Sequence, residues 1–178
     1  MNEKKRKQNN DRKLGELYPT FRDKIAAVVE ALETQGFRPR IHEAWRSEAD
    51  QLKAFKAMFS LTKFGFHNVT AADGTKEALA VDMVDDDLVN GVPVDYTQTE
   101  FLLWLAAEAQ KQGLVSGIRW GLLKLQPDEF AAAAIAAIDS AIANGDWKAM
   151  LDHLGWDPSH IQPPDMTPED ARKGQRPL

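Results

Sequence analysis

A histidine and an aspartate occupy surroundings in which neither residue type is common. His67 precedes a polar loop, and Asp82 interrupts the apolar run ALAVDMV, from Ala78 to Val84. Strand alternation would place Ala78, Ala80 and Asp82 on one face, and we expect that face of small residues to line a site. A buried carboxylate without a partner is unfavourable by several kcal/mol. Asp82 therefore predicts a partner, through a salt bridge, a turn cap or a bound metal ion.

Two histidines could complete a metal site with Asp82. His67 lies upstream across the loop, and His160 lies far downstream in WDPSHIQ. Two imidazoles and one carboxylate leave the fourth tetrahedral position of zinc open, as in catalytic zinc sites. Spacing alone leaves a surface or hydrogen-bonding role open for each histidine. His153 is an alternative ligand, and we expect His42 to be a partly buried strand residue or a hydrogen-bond partner of a ligand.

The composition bounds the class of protein. With 178 residues, 43% of them hydrophobic, the chain is long enough for one domain with a core. The net charge of -5 argues against nucleic acid and anionic membranes as partners. The absence of cysteine excludes disulfides, thiolate nucleophiles and cysteine zinc sites. We expect a monomer. Membrane insertion is not expected, because no apolar run approaches the length of a membrane span. The chain is expected to be made in the cytoplasm, because no apolar signal-peptide core follows the basic start.

The first half of the chain predicts two helices around a strand. FRDKIAAVVEALETQGF has apolar residues at helical spacing, and RPRIHEAW is typical of a short strand. In RSEADQLKAFKAMF, Ser47 can cap a second helix and Asp50 can complete a capping box. Arg46 then lies at the corner between strand and helix.

The remaining elements alternate in the same way. We expect a loop over residues 60 to 77, a strand from Ala78 to Val84, a helix capped by Thr97 or Thr99, and a strand at LVSGIRW. PDEFAAAAIAAIDSAIANG predicts a long helix, DWKAMLDHLG a short one, and WDPSHIQ a turn or strand.

This alternation indicates an α+β domain with a small antiparallel sheet flanked by helices. Residues 1–13 are expected to be a flexible basic leader, 14–162 the folded domain, and 163–178 a loosely attached, proline-rich polar tail.

Three motifs together resemble the zinc D-Ala-D-Ala carboxypeptidase and L-alanyl-D-glutamate peptidase family, over roughly Leu14 to Gln162. They are WRSEADQ (Arg46, Ser47, Gln51), FHNVTAADGTKEALAVD (His67, Ala80, Asp82) and WDPSHIQ (Asp157, His160). The chain departs from the family pattern in a longer interval between His67 and Asp82, in Gly65 where a serine is frequent, and in the alanine-rich helix after GIRWG.

The resemblance implies a hedgehog-type or DD-peptidase-like fold with one zinc ion, held by His67, Asp82 and His160. It also implies that Asp157, three residues before His160, is the general base.

The resemblance further implies that Arg46 meets a substrate carboxylate or the developing oxyanion. The alternative for Arg46 is an ion pair with Glu48 or Asp50 on its own helix. Ser47 and Gln51 fit substrate contacts as readily as capping and packing roles.

The function implied is hydrolysis of peptidoglycan stem peptides, at the L-Ala-D-Glu bond or the D-Ala-D-Ala bond. A phage-type endolysin released through a holin is the expected setting, and intracellular recycling of muropeptides is the alternative. Two alternatives stay open: a wall-binding or phage structural module without activity on the same fold, and an unrelated α+β protein.

Overall fold

The computed structural model describes residues 1–87, 96–120, 128–147, 150 and 154–177. Six α-helices lie in these ranges: α1 (Glu3–Leu14), α2 (Pro19–Thr34), α3 (Glu48–Lys56), α4 (Tyr96–Lys111), α5 (Asp128–Asn144) and α6 (Pro168–Arg172). Four strands accompany them: β1 (Pro39–Glu43), β2 (Val81–Asp85), β3 (Val115–Ser116) and β4 (His160–Gln162). Two short 3-10 helices cover Phe66–Asn68 and Gly117–Arg119.

The strands form one antiparallel sheet in the order β1-β2-β4-β3. The chain is therefore an α+β protein with a small antiparallel sheet, as predicted. β4 lies between β2 and β3, so residues near the end of the domain pair with residues near its middle. Asp82 and His160 are direct partners in the register of β2 and β4.

The core lies where α2 and α4 pack against each other and against β1 and β2. The predicted apolar positions of α2 are buried, because they recur at the spacing that faces one side of a helix. They are Phe21, Ile25, Val28 and Leu32. α4 begins at Tyr96, ahead of both threonines that were expected to cap it. α5 packs against α4, and Gly145 ends it with a φ of 71°.

The expected flexible leader is instead helix α1, which covers the free edge of the sheet. Asn10 donates to the Pro39 carbonyl at 2.9 Å and accepts from the Ile41 N–H at 2.9 Å. Asn9 donates to the Ile41 carbonyl at 2.8 Å, and the buried Arg6 donates to the Pro39 carbonyl. These side chains satisfy outward-facing backbone groups of β1, which an edge strand would otherwise leave to solvent or to another chain.

The proline-rich tail is also attached more firmly than expected. α6 places Ala171 in the core, 2% exposed. Arg176 donates to Glu77 at 2.8 Å and to the Thr70 carbonyl at 3.1 Å. The tail therefore packs on the loop that precedes β2. Within the described ranges, no helix combines the length and apolar character that crossing a bilayer demands.

Candidate functional site

His67, Asp82 and His160 meet at one point, although each comes from a different element. His67 lies in the 3-10 helix Phe66–Asn68, Asp82 in β2, and His160 at the start of β4. The strand pairing sets Asp82 opposite His160, and the main-chain bond from the Arg46 N–H to the His67 carbonyl, 2.9 Å, fixes the third segment beside them. The three residues form a group that could hold a metal ion.

The spacing of the three ligand atoms matches a tetrahedral ion. Asp82 Oδ1 lies 3.0 Å from His160 Nδ1 and 3.5 Å from His67 Nε2, and the two nitrogens are 3.4 Å apart. Ligands about 2.0–2.1 Å from a tetrahedral zinc ion are separated by about 3.3 Å. The three atoms thus already occupy three corners of such a tetrahedron.

Hydrogen bonds on the far side of each ring determine which nitrogens face the centre. His67 Nδ1 donates to the Ala44 carbonyl at 2.5 Å, and His160 Nε2 donates to Gln162 Oε1 at 3.2 Å. In the neutral imidazoles, His67 Nε2 and His160 Nδ1 therefore carry lone pairs, and these face the Asp82 carboxylate. Three converging acceptors without a proton between them repel one another, so the group attracts a cation.

The electrostatics of the group point in the same direction. Burial alone would raise the pKa of Asp82, but His67 and His160 outweigh it and hold that pKa far below its ordinary range. Burial also disfavours charge on His67, yet the Asp82 carboxylate raises the pKa of this imidazole. Asp82 therefore stays ionised, and the centre binds positive charge, whether a proton or a metal ion.

Asp157 lies beside this group but is not one of its three ligands. Its Oδ2 is 3.9 Å from His160 Nδ1, and its side chain is 31% exposed. Burial raises the pKa of Asp157, and the charge of Asp82 raises it further. A carboxylate with a raised pKa is a stronger base and accepts a proton more readily than an ordinary aspartate.

Two glycines let the segment that carries Asp157 approach the neighbouring turn. A Cβ added to Gly117 would overlap the Asp157 carbonyl oxygen, and one added to Gly155 would overlap the Gly117 and Ile118 carbonyls. The Gly155 N–H donates to the Ile118 carbonyl across the same contact. Close backbone packing therefore fixes the position of Asp157 relative to β3 and β4.

His67, Asp82, His160 and Asp157 open into a cavity of about 890 Å³. Trp120 forms part of its wall, with its ring centroid 4.8 Å from that of His160 and 5.4 Å from that of Trp156. Exposed apolar side chains lie on the lining after α3, namely Met58, Phe59 and Leu61. The cavity is large enough for a peptide segment and has both apolar and charged walls.

Arg46 lines the cavity, but its guanidinium is already engaged. Nε and Nη2 donate to the two carboxylate oxygens of Glu43, with Nε 2.8 Å from Oε1, and Nη1 donates to Gln51 Oε1 at 2.7 Å. The hydrogen bonds that Arg46 donates to Glu43 raise the pKa of Arg46 above its ordinary value. The alternative of an ion pair with Glu48 or Asp50 is not observed, and Arg46 pairs instead with Glu43, which precedes α3.

Ser47 and Gln51 make capping and packing contacts within the chain, and the substrate contacts considered for them stay a prediction. Ser47 caps α3, accepting from the Asp50 N–H at 3.1 Å, as its position predicted. Gln51 is 2% exposed and donates to Ser60 Oγ at 2.8 Å and to the Thr62 carbonyl at 2.7 Å. Gln51 also accepts from Arg46 Nη1, and it therefore links Arg46 to the segment whose apolar side chains line the cavity.

Several expected site residues are not brought to the cavity. His42 is exposed on β1, so the expectation of partial burial is wrong. Ala78 and Ala80 are fully buried ahead of β2 and do not line the cavity, which only Asp82 of that run reaches. His153 lies outside the described residues.

Residues that orient the site were missed in the sequence. Glu43 holds Arg46, and Gln162 holds His160. Asn68 donates to the Arg46 carbonyl at 2.8 Å and accepts from the Gly65 N–H at 2.8 Å. Gln162 could have been found, because a residue two positions along a strand lies on the same face as His160. Glu43 and Asn68 act across a chain corner that no local pattern reveals.

No family model and no curated protein matches this chain. Among solved structures it is similar to the Serratia marcescens L-Ala D-Glu endopeptidase ChiX, at 18% identity and a TM-score of 0.48, over 88% of this chain and 86% of that one. It is also similar to the LdcB LD-carboxypeptidase, at 14% identity and a TM-score of 0.46, over 88% of this chain and 62% of that one. Both TM-scores lie below 0.5, and the function is therefore inferred from the residues of this chain.

Proposed function

We propose that this chain is a zinc-dependent peptidase that hydrolyses peptide bonds in peptidoglycan stem peptides. The observation that supports it most directly is the convergence of His67 Nε2, Asp82 Oδ1 and His160 Nδ1, all within 4.8 Å of one another, beside the carboxylate of Asp157 in an open cavity. Two nitrogens and one carboxylate suit zinc, whereas magnesium and calcium favour oxygen ligands. The choice of stem peptides rests on the resemblance of the three sequence motifs.

Zinc and the residues of the chain have different roles in the proposed hydrolysis. When bound, zinc would act as a Lewis acid that polarises a peptide carbonyl and lowers the pKa of water. Asp157 takes a proton from the attacking water and later delivers it to the leaving amine, a role favoured by its raised pKa. Trp120 shields one side of His160 from solvent, which strengthens the electrostatic interactions in the site.

The test is digestion of purified peptidoglycan by the zinc-loaded protein, with and without a chelator, followed by mass spectrometry of the fragments. Chelator-sensitive release is the expected result, and the new termini name the bond. New L-Ala carboxyl and D-Glu amino groups indicate the endopeptidase, and free D-Ala indicates the carboxypeptidase. A lysin role belongs to the same proposal, and expression in host cells with and without a holin would test it.

Two substitutions separate binding of zinc from chemistry. Asp157→Asn is expected to keep one equivalent of zinc and to lose about 100-fold or more of the rate, because the base is removed. Asp165→Asn, at an exposed position, is its matched control and should change neither. His160→Ala is expected to lose zinc, whereas His42→Ala should keep it.

Zinc bound at one equivalent without any release of fragments would refute the peptidase and favour a wall-binding or phage structural module. An Asp157→Asn variant with full activity would refute the assigned base. Absence of stoichiometric zinc would refute the metal site.

A further inference from the structure

Two side chains with permanent positive charge line the cavity among the described residues, Arg46 and Arg119. The same lining carries the carboxylates of Asp82 and Asp157. A stem peptide has carboxylates of its own, which these acids repel. Binding such a substrate therefore requires a cation with free hydrogen-bond donors.

Arg46 is poorly suited to this task in its observed state. Both oxygens of Glu43 occupy its fork, and Gln51 takes a third donor. A substrate carboxylate that binds Arg46 in the same two-point manner would have to displace Glu43, which is 26% exposed and would lose its partner. Loss of one partner from a half-buried ion pair is unfavourable.

Arg119 is placed differently. It ends the 3-10 helix Gly117–Arg119, directly before Trp120, whose ring lies against His160. Its Nη2 donates to Asp139 of α5, in a pair whose side chains are 35% and 54% exposed. An exposed ion pair contributes little to stability, so a substrate carboxylate can replace Asp139 or share the guanidinium with it.

We propose that Arg119 binds a carboxylate of the substrate, and that Asp139 of α5 holds the guanidinium at the cavity in the absence of substrate. The inference rests on the proposed function, because the anionic ligand is a stem peptide. It also gives α5 a part in substrate choice, since the partner of Arg119 comes from this helix.

The test measures binding without turnover. Three peptides are titrated calorimetrically into the zinc-loaded protein carrying Asp157→Asn: L-Ala-γ-D-Glu-L-Lys-D-Ala-D-Ala, its D-Glu α-carboxamide and its C-terminal carboxamide. The parent peptide is expected to bind about 10-fold more tightly than one of the two amides. Arg119→Gln should weaken the parent about 10-fold and abolish that difference. Arg119→Lys should keep the difference in affinity between the acid and the amide, because the positive charge remains.

Arg22→Gln is the matched control, since Arg22 is an exposed arginine of α2 outside the cavity lining. It should leave all three affinities unchanged. The proposal is overturned if the protein binds none of the peptides, if it binds acid and amides equally, or if Arg119→Gln discriminates as the parent protein does. Failure of the proposed function has a separate signature: the zinc-loaded protein with Asp157 intact binds the parent peptide but does not cleave it.

Discussion

At the scale of single residues, the two imidazoles of the candidate metal site are oriented by different kinds of partner. His67 donates to the main-chain carbonyl of Ala44, whereas His160 donates to the side chain of Gln162. Partners of this kind change metal affinity by about 10–100-fold when they are removed. The orientation of His160 is therefore the one that a single substitution can disturb.

Gln162→Leu is expected to lower zinc affinity about 10-fold or more, because His160 loses the acceptor that keeps its proton on Nε2. Competition with a chromophoric chelator measures the change. Gln110→Leu, on the exposed face of α4, is the matched control. An unchanged affinity in the Gln162 variant would mean that the amide does not fix the ring.

The three candidate metal ligands could be named from the sequence, because Asp82 inside an apolar run demands a partner and because the motifs around His67, Asp82 and His160 resemble a zinc peptidase family. The ion-pair partner of Arg46 could not be predicted from the sequence. Glu48 and Asp50 of α3 were the alternative partners considered for Arg46, but Glu43 pairs with it across the turn that follows β1. Which acid meets an arginine at a chain corner depends on the direction the chain takes there.

At the scale of elements, helix α1 acts as a cover for the edge of the sheet. Asn10→Leu would remove both of its hydrogen bonds to β1 and leave the Ile41 N–H without its partner. We expect a loss of about 2 kcal/mol in the free energy of unfolding. Urea denaturation followed by circular dichroism measures it.

Gln8→Leu provides the comparison for α1, since Gln8 is exposed on the same helix. It should change the free energy of unfolding by less than about 0.5 kcal/mol. If the two variants were equally stable, α1 would not be part of the cooperative fold.

Local patterns predicted α2 and α3 but missed α1. The apolar spacing of α2 and the Ser47 cap of α3 are signals within a few residues of each other. The polar sequence of α1 looks solvated, because Arg6, Asn9 and Asn10 are used for contacts with a strand some thirty residues away, with separations of 33, 32 and 29 positions. Only the position of β1 reveals their role.

At the scale of the whole molecule, Glu16 joins the end of α1 to the loop before β2. Its carboxylate, in a residue that is 8% exposed, accepts from Lys76 at 3.0 Å and lies 3.3 Å from Lys13, and its carbonyl accepts from the Ala78 N–H at 3.0 Å. Burial favours the neutral carboxyl, but Lys76 and Lys13 outweigh it and lower the pKa of Glu16.

Glu16→Gln is expected to reduce stability by about 1 kcal/mol at pH 7. A folded-state pKa below the ordinary value of 4.5 stabilises the fold above that pH, and the stabilisation is lost as the pH falls through the lower folded-state pKa. The difference between the two proteins should therefore shrink below about pH 4.5 in thermal denaturation across pH. Glu30→Gln, at an exposed position of α2, is the control. A difference that stayed constant down to acid pH would contradict the role of the charge.

The order of the sheet could not be predicted from the sequence, although most of its strands could. WDPSHIQ indicated a turn or strand, but nothing local places β4 between β2 and β3. That arrangement depends on pairings between residues 78 positions apart, such as Asp82 and His160. Pairing over such distances is decided by how all the apolar faces are buried together.

The meeting of His67, Asp82 and His160 has a consequence for a chain without cysteine. His67 and His160 are 93 positions apart, so a metal ion held by both would close a long loop of the chain, as a disulfide does in secreted proteins. Cross-links of this kind act mainly by restricting the unfolded chain. A bound zinc ion would thus also determine how long the folded protein resists proteolysis.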